Sequence, residues 1–180
     1  MTQPDDAAIV KQLGENREEG FRWLMRKYEE QVYWHVRRLV LAHQDAQDAT
    51  QETFIRVFRS IDTFKGESSL SSWIYRIATN EALRIIDRRK QDQLTLDEDE
   101  GEADRIAADE YVDYDDVVAV ELQKAILSLP CKQQLAFNLR YYDEMTYEQI
   151  AEITDSTPAN VKANYHVAKE KIVNYMNSIV

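Results

Sequence analysis

Apolar side chains recur every three to four residues along most of the first ninety positions. One stripe between positions 18 and 40 consists of Phe21, Leu24, Met25, Tyr28, Val32, Val36, Leu39 and Val40. A second stripe follows Asp45 and consists of Ala49, Thr53, Phe54, Val57, Phe58 and Ile61. A third lies between Trp73 and Lys90 and consists of Ile74, Ile77, Ala78, Ala82, Ile85 and Ile86. This spacing predicts three amphipathic helices, and Ser71 or Ser72 is suited to cap the third.

The last sixty residues show the same helical spacing. One predicted helix, with Val118, Leu122 and Leu129 among its apolar positions, ends before Pro130, and another follows from Gln133 to Tyr142. The chain has only four glycines and three prolines, too few for a sheet-rich fold with many tight turns. We therefore predict an all-α protein without strands.

The segment from 146 to 172 predicts a helix-turn-helix. Thr146 and Gln149 form a capping-box pattern, and Thr157 followed by Pro158 marks the start of a second helix after a short turn. In such a motif the N-terminal part of the second helix enters the major groove. Its candidate DNA contacts are Thr157, Ala159, Asn160, Lys162, Ala163, Asn164, His166 and Lys169. The alternative at this point is a helical bundle with a polar surface helix.

The net charge of −11 is not spread along the chain. Residues 1–90 contain 15 Lys and Arg against 14 Asp and Glu, and residues 120–180 contain 6 against 7. Residues 91–119 contain one arginine against 12 acids, which accounts for the whole imbalance. Because like charges at this density oppose compaction, we predict an acidic flexible linker at 91–119 between a domain at 1–90 and a domain at 120–180.

Two further surfaces lie in the first domain. The third helix begins with Trp73 and Tyr75 and has a basic C-terminal half, a combination that suits unstacked bases and phosphates; a helix that begins in this way is also a common core element. On the second helix, Asp45, Asp48, Gln51 and Glu52 recur every three or four residues. This acidic edge is either a solvated helix start or a docking surface for a basic partner.

Other classes of function find little support in the sequence. His35 and His43 are eight residues apart without the spacing of a helical metal site, so we expect both at the surface and predict no metal, no cofactor and no enzyme. The only cysteine, Cys131, has no disulfide partner in the chain and is expected to be packed. The N-terminus does not resemble a signal peptide, and no apolar run is long enough for membrane insertion. These features predict a cytoplasmic protein.

The order of these motifs resembles the extracytoplasmic-function (ECF) sigma factors of bacterial RNA polymerase. The resemblance rests on the segments DAQDATQETFIRVF, FKGESSLSSWIYRIATNEAL and MTYEQIAEI, in that order, and it covers about 150 residues. It implies an all-helical subunit that binds bacterial RNA polymerase core and promoter DNA. It also implies an anti-sigma factor as a partner, whose identity the sequence does not indicate.

The resemblance also implies a role for each surface. Core polymerase would bind Asp45, Asp48, Gln51, Glu52 and Phe54. The −10 element would be recognised by Phe64, Lys65, Gly66, Glu67, Ser68, Ser69, Trp73, Tyr75, Arg76 and Asn80. The −35 element would be recognised by Thr157 to Lys169. Tethering to polymerase would compensate for the low positive charge of both domains. The alternative is a free-standing helix-turn-helix regulator, although the chain shows no heptads for the dimer that such a protein needs.

Overall fold

The computed structural model describes residues 4–95 and 117–179, and all regular structure in these two ranges is helical. The predicted all-α fold is therefore confirmed. The helices are α1 (Asp6–Glu15), α2 (Arg17–Val40), α3 (His43–Ser60), α4 (Leu70–Thr95), α5 (Val117–Leu127), α6 (Cys131–Tyr141), α7 (Tyr147–Thr154) and α8 (Pro158–Ser178), with a 3₁₀ turn at Ile61–Thr63. Most of the predicted acidic linker lies outside the described residues, so the domain boundaries remain a prediction.

Helix α1 was not predicted from the sequence, although its start carries a clear signal. The side chain of Asp5 accepts a hydrogen bond from the backbone N–H of Ala8 at 2.7 Å, as expected for an N-cap. Asn16 then caps α2 by accepting from the N–H of Glu19 at 3.1 Å. Ile9 is fully buried in the first-domain core. With a single buried residue in ten, α1 has too short an apolar stripe for periodicity to reveal it.

Helices α1 and α2 approach most closely at Gly20. A Cβ added there would lie 2.5 Å from the backbone nitrogen of Leu13 and 2.6 Å from its Cα. We expect Gly20→Ala to lower the free energy of unfolding by about 1–3 kcal/mol, because backbone atoms cannot move aside as a flexible side chain would. Gly14→Ala is the matched control, since nothing lies within 4 Å of its added Cβ. Urea unfolding monitored by circular dichroism measures both; equal stability of the two variants would contradict this packing.

The first domain is a bundle of α1 to α4 whose core includes Leu24, Val32, Val36, Val57 and Ile74, all fully buried. The ends of α4 differ from the prediction. The backbone N–H of Ser72 donates to the hydroxyl of Ser69 at 3.1 Å, so Ser69, not Ser71 or Ser72, caps the helix. The helix also continues to Thr95, beyond the predicted end at Lys90.

The second domain consists of α5 to α8, and the predicted caps of α7 and α8 are present. The Thr146 hydroxyl accepts from the N–H of Gln149 at 3.2 Å, and the Gln149 side chain accepts from the N–H of Thr146 at 2.9 Å. Thr157 caps α8 by accepting from the N–H of Asn160 at 3.2 Å. Asp155 ends α7 with φ 52°, a left-handed conformation that lets the chain reverse between the two helices. The helix-turn-helix is therefore present as predicted.

The two domains pack against each other through α2 and α4 of the first and α6 and α7 of the second. Two side chains cross the interface between the domains, here called the domain seam, in opposite directions. Tyr75 of α4 belongs to the apolar cluster of the second domain, where it is 2% exposed beside Ile150 and Ala151. Leu135 of α6 belongs to the core of the first domain and is 5% exposed. This interlocking defines a closed arrangement of the two domains.

Two smaller expectations were wrong. His35 is fully buried rather than at the surface, because it faces α4 and its Nε2 lies 2.8 Å from the hydroxyl of Thr79. Cys131 is exposed rather than packed, because it lies in the first turn of α6.

Candidate partner-binding and DNA-binding surfaces

A wide groove with a volume of about 1300 Å³ lies between α2 and α3. All of its lining residues come from these two helices, so no described residue of the second domain covers it. Large apolar side chains reach solvent here: Trp34 is 41% exposed, Ile55 39% and Phe58 37%. Because monomeric proteins seldom expose clustered large apolar side chains, this groove has the character of a protein-binding surface.

The predicted acidic edge of α3 is divided between two environments. Asp48 and Gln51 are exposed and line the groove, where the Gln44 side chain donates to Asp48 at 3.1 Å. Asp45 instead forms an ion pair with Arg89 of α4, and Glu52 pairs with Arg56 at 3.1 Å. Phe54 also lines the groove, but its side chain is only 4% exposed. It therefore packs beneath the groove and offers little area for contact with a partner.

The loop before α4 presents most of its predicted −10 residues to solvent. Lys65, Gly66, Glu67 and Ser69 are exposed, and Ser68 is half-buried. Gly66 has φ 72°, a left-handed conformation in which a side chain would be strained. The rings of Phe64 and Trp73 are half-buried with centroids 5.3 Å apart, and they form the base of the loop. Arg76 and Asn80 continue the exposed surface along α4.

Tyr75 differs from the other predicted −10 residues because it is not accessible in this arrangement. Its hydroxyl donates to Oδ1 of Asp143 across the domain seam at 3.1 Å. Burial and the nearby Asp143 carboxylate raise the pKa of Tyr75 above its ordinary value, so the phenol stays protonated as a donor. The structure thus places Tyr75 in the contact between domains rather than beside the loop surface.

The residues that were predicted to contact the −35 element lie along the N-terminal part of α8. Its exposed members are Thr157, Ala159, Asn160, Lys162, Ala163, His166 and Lys169. Asn164 is half-buried and lines a cavity of about 440 Å³ at the domain seam. Val161 and Ala168 are buried and fix the orientation of the helix. Exposed amide and lysine side chains along one helix have the chemistry for base edges and phosphates.

The predicted −10 loop faces α7 and the turn before α8 across a cleft of about 700 Å³. The first domain contributes the loop side chains Phe64 and Lys65 with Trp73 and Arg76 of α4. The second domain contributes Glu148, Ala151, Glu152, Asp155, Ser156 and Pro158 from α7 and the turn before α8. The loop side of the cleft therefore contains Lys65, Glu67 and Arg76, and the second-domain side contains three acidic side chains.

A buried polar cluster joins the domains beside this cleft. Nη2 of Arg38 donates to both carboxylate oxygens of Asp143, at 3.0 and 2.9 Å, and both side chains are 9% exposed. The ring of Tyr142 lies 4.7 Å from the Arg38 guanidinium. Burial raises the pKa of Asp143, whereas the contacts with Arg38 and Tyr75 favour its carboxylate form.

His35 completes the cluster as a neutral side chain. Burial, with a smaller effect of the Arg38 charge, lowers the pKa of His35 to about 3. Its Nδ1 lies 3.8 Å from Asp143 but has no hydrogen-bond partner. A neutral ring at this distance contributes packing rather than an ion pair.

Sequence reasoning missed two parts of these surfaces. The first is the set of apolar side chains that line the groove. Trp34 could have indicated it, because this large apolar residue lies outside the periodic positions that α2 buries. The second is the Arg38–Asp143 pair, whose partners are 105 residues apart. No local pattern connects such partners.

Within the described ranges, no group of three or more His, Cys, Asp or Glu side chains could hold a metal ion, and no helix there is both long and apolar enough to cross a membrane.

Comparison with known families agrees with this arrangement. Residues 24–92 match the Sigma-70 region 2 family, and residues 119–172 match the Sigma-70 region 4 family. A two-domain helical protein with these regions in this order is an RNA polymerase sigma factor. The chain is 31% identical over 172 residues to the ECF RNA polymerase sigma factor SigW of Bacillus subtilis, which covers 91% of this chain and 92% of SigW. The protein belongs to the ECF sigma factor family.

Other relatives and solved structures support the same assignment. The ECF RNA polymerase sigma-E factor of Haemophilus influenzae is 28% identical over 187 residues, covering 99% of this chain and 98% of that protein. The structure of CnrH in complex with the cytosolic domain of CnrY has a TM-score of 0.72 at 16% identity, over 96% of this chain and 97% of CnrH. RpoE of Bartonella quintana in complex with the anti-sigma factor NepR has a TM-score of 0.70 at 19% identity, over 87% of this chain and 96% of RpoE. At these identities the two structures share the fold.

Proposed function

We propose that this sigma factor binds core RNA polymerase through the groove between α2 and α3 and directs it to promoters by recognising two DNA elements. The loop before α4, with Trp73, Arg76 and Asn80, would recognise and help to melt the −10 element. The exposed residues at the N-terminal part of α8 would recognise the −35 element. The protein itself would act as an initiation factor without catalytic activity, in the bacterial cytoplasm where polymerase works.

The observation that carries this proposal is that none of the residues in 117–179 covers the groove while the domains are closed. Its exposed Trp34, Ile55 and Phe58 supply the apolar anchors that interfaces use, and Asp48 supplies a charge at the rim. Polymerase could thus bind the closed protein first. DNA binding would follow from a tethered position, which removes the need for a strongly basic surface.

An inhibitory partner is a second part of the proposal. RpoE of Bartonella quintana has a co-crystal structure with the anti-sigma factor NepR, and CnrH has a structure in complex with the cytosolic domain of CnrY. We infer that an anti-sigma factor also binds this protein. The uncovered groove is the surface where such a partner would compete directly with polymerase.

Run-off transcription on a random promoter library tests the function. Bacterial core polymerase is assayed with and without the protein, and the transcript starts are sequenced. New starts that share a −35 and −10 pair are expected. If no new starts appear while the protein alone binds discrete DNA sites, the protein is a free-standing helix-turn-helix regulator instead.

A further inference from the structure

Arg17 is a cation at a position where a helix disfavours positive charge. It is the first residue of α2, and the other charged residues of that turn are Glu18 and Glu19. The free N–H groups at a helix N-terminus carry a partial positive charge, so acids are favoured there and cations are not. A cation at this position needs a compensating contact elsewhere, and the end of a neighbouring helix provides it.

The Arg17 guanidinium contacts the C-terminal end of α3. Its Nη2 donates to the backbone carbonyl of Phe58, and its Nη1 donates to Oδ2 of Asp62 at 2.8 Å. Phe58 lies two residues before α3 ends at Ser60, so its carbonyl is one of the last four, which a helix leaves without α-helical partners. The negative end of the α3 dipole and the Asp62 carboxylate together offset the unfavourable position of Arg17.

The same guanidinium lies over the ring of Phe58. Cζ of Arg17 is 4.8 Å from the ring centroid, which is the geometry of a cation–π contact. Phe21 of α2 meets the ring edge-on, with the two centroids 5.0 Å apart. Nε of Arg17 is buried without a hydrogen-bond partner, so the two Nη atoms and the ring contact hold the side chain in place. One side chain therefore fixes both the backbone and the ring of Phe58.

Phe58 is one of the apolar side chains that reach solvent in the groove between α2 and α3. Arg17 does not line that groove, so it supports Phe58 from outside the surface that a partner would contact. A partner that binds a mobile aromatic ring must order it, which costs conformational entropy and lowers the affinity. A ring that is already held in place avoids this loss.

We propose that Arg17 is a positioning residue for polymerase binding, which preorganises Phe58 as an apolar anchor of the groove. The proposal rests on the proposed function, because it deepens the role of the groove as the polymerase-binding surface. Arg17 itself makes no contact with polymerase and acts only through the fixed ring of Phe58. Because affinity differences at one interface arise mostly in the dissociation rate, loss of Arg17 should shorten the lifetime of the complex.

The first measurement follows the Phe58 ring in the free protein. Para-fluorophenylalanine is incorporated at position 58 of the full chain, and fluorine NMR relaxation reports how fast the ring reorients. We expect faster reorientation in Arg17→Gln, because the ring loses the guanidinium that lies over it. Arg22→Gln is the matched control: it removes the same charge from an exposed arginine of α2 whose ion pair, with Glu19 at 3.2 Å, stays within that helix.

The second measurement is a double-mutant cycle on polymerase affinity. Labelled protein is titrated with core polymerase, and dissociation is timed after excess unlabelled protein is added. We expect Phe58→Ala to weaken binding by about tenfold and Arg17→Gln to weaken it by about threefold to tenfold, mainly through faster dissociation. In the Phe58→Ala background, Arg17→Gln should have no further effect, because no ring remains to be positioned. Arg22→Gln should bind as the parent does.

Arg17→Lys separates the charge from the geometry of the contact. A lysine can pair with Asp62, but it lacks the planar group that lies on the Phe58 ring while donating through two separate nitrogens. We therefore expect the polymerase affinity of Arg17→Lys to be closer to that of Arg17→Gln than to that of the parent. Circular dichroism confirms that each variant is folded, so that a change in affinity reports the interface rather than global stability.

Unchanged ring relaxation in Arg17→Gln would overturn the positioning role, and so would unchanged polymerase affinity of Arg17→Gln when Phe58→Ala binds weakly. An equal loss from Arg17→Gln with and without the Phe58 ring would overturn it as well, because Arg17 would then contact polymerase directly. The proposed function fails in a distinguishable way. If neither Phe58→Ala nor a charge reversal at Asp48 weakens binding, the groove is not the polymerase site, and both proposals fail together.

Discussion

Asp48→Arg should weaken binding to core polymerase by about tenfold or more and reduce run-off transcription accordingly. Asp48 is exposed in the groove close to the apolar side chains Phe54 and Ile55. Reversing a charge that complements a basic partner converts an attraction into a repulsion, which slows association and shortens the lifetime of the complex. Fluorescence anisotropy of the labelled protein titrated with core polymerase measures the affinity directly.

Glu18→Arg is the matched control for this prediction. Glu18 is an exposed acid at the start of α2 and does not line the groove, so the same reversal changes the net charge equally without touching the proposed interface. Thermal unfolding should show only small losses of stability, because neither side chain is buried; Glu18→Arg loses about 0.3–1 kcal/mol of favourable interaction with the N-terminal dipole of α2. Equal polymerase affinity for the two variants would show that polymerase binds elsewhere on the protein.

The helices and caps could be predicted from the sequence wherever the signal is local. The stripe from Phe21 to Val40 and the capping box of Thr146 and Gln149 both specify structure within a few residues of themselves. The start of α4 was harder to predict, because four serines within five residues, Ser68, Ser69, Ser71 and Ser72, offer the same hydroxyl. Only the fold selects Ser69, whose hydroxyl accepts from the N–H of Ser72.

The surfaces were predicted less completely than the helices. The position of Asp48 on α3 could be inferred, but its separation from Asp45 depends on Arg89, which α4 brings to that side of the helix. Tyr75 shows the same limit more clearly. Its place beside Trp73 in the sequence suggests a DNA contact, whereas its place in the fold depends on Asp143 in the other domain. Contacts between residues so distant in the chain leave no local pattern.

Specificity for the −35 element should depend on Asn160. We expect Asn160→Ala to relax the preference at one base pair of that element, at a cost of about 1–3 kcal/mol for the preferred base. Asn160 is exposed in the first turn of α8, and its carboxamide can both donate and accept, as a bidentate contact with adenine requires. The measurement is transcription from a library with a randomised −35 element and a fixed −10 element.

Two variants on the same helix separate base recognition from phosphate binding. Lys162→Ala should weaken promoter use about equally for all −35 sequences and lower the salt dependence, because a lysine that meets phosphate carries no sequence information. Asn177→Ala makes the same substitution as Asn160→Ala at an exposed position about 25 Å further along α8 and should change nothing. If Asn160→Ala altered all −35 sequences equally, Asn160 would be a positioning contact, and base recognition would pass to other exposed residues of α8, such as Ala163 and His166.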